Sequence, residues 1–224
     1  MAVLIEAWVR WSWDATKGVP GFFVTDAARG QRRADNYDGW FAGVPVKTNR
    51  LGFRSTREDR LEKAPNTFRI LVLGDSVTFG HGAVHDYPSL LEASLKRWRP
   101  EVDWQVWNLG VPGYNTAQEL TYLEEVGRRY SPDLVVVGFF LNDIIDNAAP
   151  HSPGVATRGA AGALAFVQRH WYSYEFYKRV VLTLAWRLST NDAVRQRVES
   201  LETEEKLVAA SGALADAGRQ QIDR

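Results

Sequence analysis

Three short strand-like runs, Phe68–Leu73, Val102–Asn108 and Leu134–Leu141, alternate with two stretches of helical periodicity, and this rhythm leaves few folds open. The first run ends at Gly74 and the third is apolar throughout, the pattern of strands buried on both faces. Between them, Leu91, Leu95 and Trp98 recur at i, i+4 and i+7 until Pro100 stops the helix. Thr116-Ala-Gln-Glu119 then reads as a capping box, opening a second helix with Leu120, Leu123 and Val126 on one face. Strand, helix, strand, helix, strand with buried strands predicts an α/β fold: a parallel, doubly wound sheet with the first run at its centre.

Residues 18–65 are rich in turn formers, and Gly39–Asn49 has the makings of a small hairpin with Pro45 at an edge. We read residues 1–65 as a strap or extension over a main domain of residues 66–224. Within that domain, residues 148–224 form a helical insertion or lid. It holds an aromatic helix from Leu164 to Leu188, expected to pack on the sheet, and a charged one from Asp192 to Asp223.

Composition narrows the function. With 27 basic and 27 acidic residues the formal charge is +0, which argues against a nucleic-acid partner. There are 0 cysteines, so neither disulfides nor thiolate metal sites are expected. The 4 histidines, His81, His85, His151 and His170, show no ligand spacing, so the expectation is no metal and no cofactor. No run reaches the ~18 apolar residues of a membrane span. The start, Met1 to Arg10, is broken by Glu6 and lacks the features of a signal peptide. Trp8, Trp11 and Trp13 would suit a membrane interface, although packing on the main domain is the simpler expectation.

Open α/β sheets bind ligands at the carboxyl ends of their strands. The loops there are Gly74-Asp-Ser-Val-Thr-Phe-Gly80, Asn108-Leu-Gly-Val-Pro-Gly-Tyr114 and Leu141-Asn-Asp143. A hydroxyl on a tight strand-to-helix turn, backbone N–H groups at the helix start, a flexible glycine and an Asn amide together make a nucleophile beside an oxyanion hole.

These segments resemble blocks I, II and III of the GDSL/SGNH hydrolase family. The resemblance covers roughly residues 45–147 and implies a three-layer flavodoxin-like fold acting on a small-molecule, lipid or carbohydrate ester. It implies that Ser76 is the nucleophile and one oxyanion N–H, with Val77 in place of the usual Leu. Gly113 is the second oxyanion N–H and Asn142 the side-chain donor. Asp75 and Asp143 are supporting residues that shape their loops. Phe140 stands where the family has a glycine. Asn49-Arg-Leu-Gly-Phe-Arg54 is similar to a strap in bacterial relatives.

The family's late Asp-x-x-His, whose His activates the serine, has no match here: no Asp is followed by His three positions on. The sequence therefore reads as a family member truncated before its catalytic Asp and His and its last strands, expected to be a poor esterase as given. His151 is the better substitute base, ahead of His81 and His85. Two alternatives remain: an O-acetyltransferase that passes the acyl group to a carbohydrate from the same site, and a catalytically dead module holding phosphate on Gly74–Gly80. The second lacks a Gly-rich cradle or a phosphate-binding lysine.

Overall fold

The structure, a computed structural model, describes residues 2–13, 21–57, 60–140, 143, 158–174, 177, 180–181 and 183–184. In chain order its elements are α1 (Ala2–Ser12), β1 (Phe23–Asp26), β2 (Gly30–Arg33), β3 (Asp38–Phe41), β4 (Val44–Lys47), β5 (Thr67–Gly74) and α2 (Ser76–Phe79). They continue with α3 (Tyr87–Trp98), β6 (Asp103–Asn108), α4 (Thr116–Glu125), a 3-10 turn (Gly127–Tyr130), β7 (Leu134–Gly138) and α5 (Arg158–His170).

Strands β5, β6 and β7 form a 3-stranded parallel sheet in the order β6-β5-β7, so the first run is central as its pattern predicts. Alternation along β5 divides the core. Leu71 and Leu73 point to one face, with Trp107, Leu109 and Tyr122 of α4. Ile70 and Val72 point to the other, with Trp104, Val106 and Leu95 of α3. A helix on each face makes a three-layer, doubly wound architecture. β7 stops at Gly138, short of the apolar run that continues through Phe140, because its partner β5 ends there, with Gly74 opposite Gly138. The run's final residue, Leu141, lies outside the described residues.

The expected hairpin is present as β3–β4, which pairs Asp38 with Lys47 and Phe41 with Val44. A second hairpin, β1–β2, has no strand signal in the sequence. Both pack through Phe22, Val24, Tyr37, Val44 and Val46 into a cluster that includes Phe79 of α2, and Phe22 stacks on Phe41 with ring centroids 4.0 Å apart. This shared core ties residues 21–57 to the segment that follows β5.

Two expectations are corrected. Helix α5 lies on β1 and not on the central sheet: Gln168 Oε1 accepts from Thr25 N at 2.9 Å, and Gly21 has no room for a Cβ against the Arg169 backbone. Downstream, Trp171, Tyr177, Val181 and Leu184 are exposed, against the expected burial on the sheet, whose two faces pack against α4 and α3. At the N-terminus, Glu6 of α1 accepts from Tyr172 N and Ser173 N, and Trp13 meets Tyr172 edge-on, while Trp8 and Trp11 remain exposed. Among the described residues no helix is long and apolar enough to cross a membrane. The expected charged helix from Asp192 lies outside the described residues.

Candidate active site

The carboxyl end of the sheet is built from the first two glycine-bearing loops locked against each other. Gly74 leaves β5, and a Cβ there would collide with Thr78 Oγ1, so only glycine allows the turn this tight. Asp75 caps α2: its carboxylate accepts from Val77 N at 2.9 Å, with its side chain fully buried. Ser76 is then the first residue of α2, half-buried, with the helix's open N–H end around it. Gly80 ends the single turn in the left-handed region at φ 75°, and the N–H groups of Gly80 and His81 both return to Ser76 O.

The second loop is welded to the first. Asn108 Nδ2 donates to Thr78 O at 2.9 Å, its Oδ1 accepts from Gly110 N at 2.9 Å, and Val111 N donates to Gly74 O at 2.9 Å. Gly110 lies so close that a Cβ would strike Phe79 N. Gly113 turns at φ 79°, half-buried beside the Gln31 side chain of β2, whose Nε2 donates to Pro112 O at 3.3 Å. Tyr114 Oη donates to Gln31 O at 2.6 Å, so the strap grips this loop on both sides of Gly113.

Of the third loop, Asn142 lies outside the described residues, as does His151. Asp143 is fully buried and closes a turn with Phe140: Phe140 N donates to Asp143 Oδ2 at 2.9 Å and Asp143 N to Phe140 O at 3.0 Å. The structure thus brings Asp75, Ser76 and Gly113 to one end of the sheet, with Asp143 behind β7.

The predicted capping box is displaced by one residue. Asn115 caps α4, and Gln118 supplies the reciprocal bond. Glu119 is released from that duty and turns inward, 2% exposed, with neither carboxylate oxygen hydrogen-bonded. Burial, then the charges of Asp143 and Asp75, push its carboxyl up to about 8. It lines an open apolar groove of about 430 Å³ with Leu73, Leu120, Leu123 and Val137.

Among the described residues no histidine is bonded to an Asp or Glu side chain. His81 packs on Phe41 with ring centroids 4.8 Å apart, and burial and then the Arg54 charge push it down to about 4. It is a weak proton acceptor. His85 and His170 are exposed. No group of three or more His, Cys, Asp or Glu able to hold a metal occurs among the described residues.

The sequence marks Ser76, Gly113 and Asp75, gives Asn108 only as the start of its motif and Glu119 only as a capping partner, and does not mark Gln31. An Asn closing a strand just before a Gly-rich loop was the available signal for Asn108, and nothing local marks the other two.

The model of the GDSL-like lipase/acylhydrolase family matches residues 72–221. No curated protein matches the chain.

Proposed function

The chain belongs to the GDSL-like lipase/acylhydrolase family, whose activity is ester hydrolysis, and from that premise we propose that Ser76 is its nucleophile. The observation that carries this reading is the welded pair of loops. Ser76 stands at the open end of α2, and Val111 N, bonded to Gly74 O, fixes the Gly113 loop beside it.

Ser76 Oγ attacks the acyl carbonyl and gives its proton to a general base. The carbonyl oxygen becomes an oxyanion, received by the N–H groups of Ser76 and Gly113 and by the Asn142 amide. Each such donor is typically worth ~3–4 kcal/mol in the transition state. Collapse breaks the ester C–O bond, the base returns the proton to the departing alcohol, and Ser76 keeps the acyl group. Water then repeats the sequence, releasing the acid. Asp75 and Asp143 shape the turns that present Ser76 and Asn142. We place the base outside the described residues, because none of the described histidines has a carboxylate partner to orient it.

In the intact gene product a fluorophosphonate probe is expected to label Ser76 and leave Ser76→Ala unlabelled, with loss of p-nitrophenyl ester hydrolysis in the variant. Asn142→Ala is expected to lower kcat by roughly 10²–10³ with KM nearly unchanged. Labelling of Ser76→Ala at the wild-type rate would remove Ser76 from the mechanism. A change in KM alone for Asn142→Ala would make that residue a substrate-binding group.

A further inference from the structure

The segment after the nucleophile turn is held by a residue that lies in sequence well before the sheet begins. Arg54 donates to four main-chain carbonyls: Nη1 to Phe79 O at 2.8 Å and Gly80 O at 2.7 Å, and Nη2 to Ala83 O at 2.6 Å and Val84 O at 3.1 Å. Its Nε faces Asp86 Oδ2 at 3.6 Å, and the guanidinium carbon lies 5.0 Å from the Phe79 ring centroid. A guanidinium has five N–H donors in a fixed plane. Here all three of its nitrogens are engaged, and the Arg54 side chain is 6% exposed.

The carbonyls it collects are not a random set. Phe79 O and Gly80 O lie at the C-terminal end of α2, the turn that Ser76 begins. A single turn has few internal hydrogen bonds and little stability of its own. The positive group at its carbonyl end therefore supplies what the turn lacks. Ala83 O and Val84 O belong to the bend that leads to Asp86, which caps α3 by accepting from Ser89 N at 3.0 Å. One side chain thus fastens α2 to the start of α3. Gly80 makes room for it, since a Cβ there would lie 3.0 Å from Arg54 Nη1 and 2.8 Å from Asp86 Cβ.

Arg54 is in turn presented by its own local structure. Asn49 Oδ1 accepts from Leu51 N and Phe53 N, both at 3.0 Å. Gly52, at φ 78°, passes against Arg33 O, and Phe53 is fully buried in the cluster on the α4 face of the sheet. Anchored on both sides, the guanidinium has little freedom to follow a moving turn.

We propose that Arg54 is a positioning residue for Ser76, setting the orientation of the nucleophile turn through the carbonyls of Phe79, Gly80, Ala83 and Val84. The proposal rests on the reading of Ser76 as nucleophile. It makes the strap part of the catalytic apparatus as well as a cover over the core.

The test compares Arg54→Lys and Asp86→Asn with Thr48→Ala, a strap variant that loses the bonds of Thr48 Oγ1 to Ala34 O and Tyr37 N but touches neither Ser76 loop. Fluorophosphonate labelling is resolved into a maximal rate and a half-saturating concentration, with melting temperatures measured in parallel. Lysine cannot span four carbonyls, so Arg54→Lys is expected to lower the maximal rate by roughly 10–100-fold at unchanged half-saturation. Asp86→Asn, which keeps a capping side chain, is expected to show a smaller loss of the same kind. Thr48→Ala is expected to melt earlier and label at the wild-type maximal rate. Hydrogen exchange provides a readout independent of reactivity: the Gly80 and His81 amides should exchange faster in Arg54→Lys while those of β5 stay protected. Wild-type labelling and exchange in Arg54→Lys, or losses that track melting temperature across all three variants, would overturn the positioning role alone. These measurements use the intact gene product; there, an unlabelled wild type would overturn the nucleophile reading, and the positioning role with it.

Discussion

Glu119 faces three titratable groups from other elements: Asp75 before α2, Asp143 after β7 and Tyr87 of α3. Within this surrounding its carboxyl rises from the ordinary 4.5 to about 8, so the folded protein holds a proton that the unfolded chain releases near pH 4.5. Between those two values the native state binds more protons, and stability falls as pH rises through the window and levels off above it. Glu119→Gln removes this titration with little change in shape. The variant is expected to melt above the wild type at pH 8, with the gap closing toward pH 4.5. A constant gap across the range would show that the ionisation of Glu119 is not the cause. Glycine positions follow the same logic of crowding. Gly110→Ala places a methyl group against Phe79 N, pushing the Gly113 loop away from Ser76. Ester turnover is expected to drop by about 10²-fold, read as kcat against wild type.

Elements are set by their ends. The β3–β4 hairpin turns on Ala42 and Gly43, with φ of 51° and 78°, the paired positive values of a type I′ turn. Alanine is strained there and asparagine is not. Ala42→Asn is expected to stabilise the protein by about 0.5–1 kcal/mol, measured by denaturant unfolding. Helix α4 depends on Asn115, which accepts from Gln118 N at 3.0 Å and receives the reciprocal bond on its own N–H. Asn115→Ala is expected to cost about 1 kcal/mol. The corresponding loss at Thr116, the cap that the sequence pattern favours, should be smaller, since Thr116 Oγ1 has no hydrogen-bond partner.

For the whole molecule, the strap and the sheet share one core, because Phe53 is buried with Leu71, Leu73 and Trp107 and Phe23 packs against the same cluster, while Phe22 and Val24 reach Phe79 of α2. Phe22→Ala is expected to destabilise by about 3 kcal/mol or more, and to raise hydrogen exchange in β5 together with the strap hairpins. A strap that opens while β5 stays protected would show two separate units. This dependence explains what was legible in the chain. Period and composition act over a few residues. Phe68–Leu73 and Val102–Asn108 declared buried parallel strands, and the Gly-Asp-Ser and Asn-x-Gly-x-x-Gly segments declared the loops at their ends, because each signal is complete within its own window. The burial expected of the third run is corrected: among the described residues β7 is an edge strand paired with β5 alone, and its Leu134 and Val137 are exposed. The extent of β7 was not local: it depends on where β5 stops. The β1–β2 hairpin carries polar strands such as Gly30–Arg33 that no pattern of alternation marks, and it is held by contacts with Asn108, Pro112 and Tyr114 across the sequence. Arg54 reads in the sequence as one basic residue of a turn-rich stretch, and Glu119 as a capping partner for Thr116. Only the tertiary structure decides that one collects the carbonyls beyond Ser76 and the other is buried against Leu73 and Val137, because burial and partner depend on which distant segments arrive beside a residue. The sequence alone determined the order of the parallel strands and the residues at their ends; the packing of the strap determined how those loops are held, because it depends on segments distant in the chain.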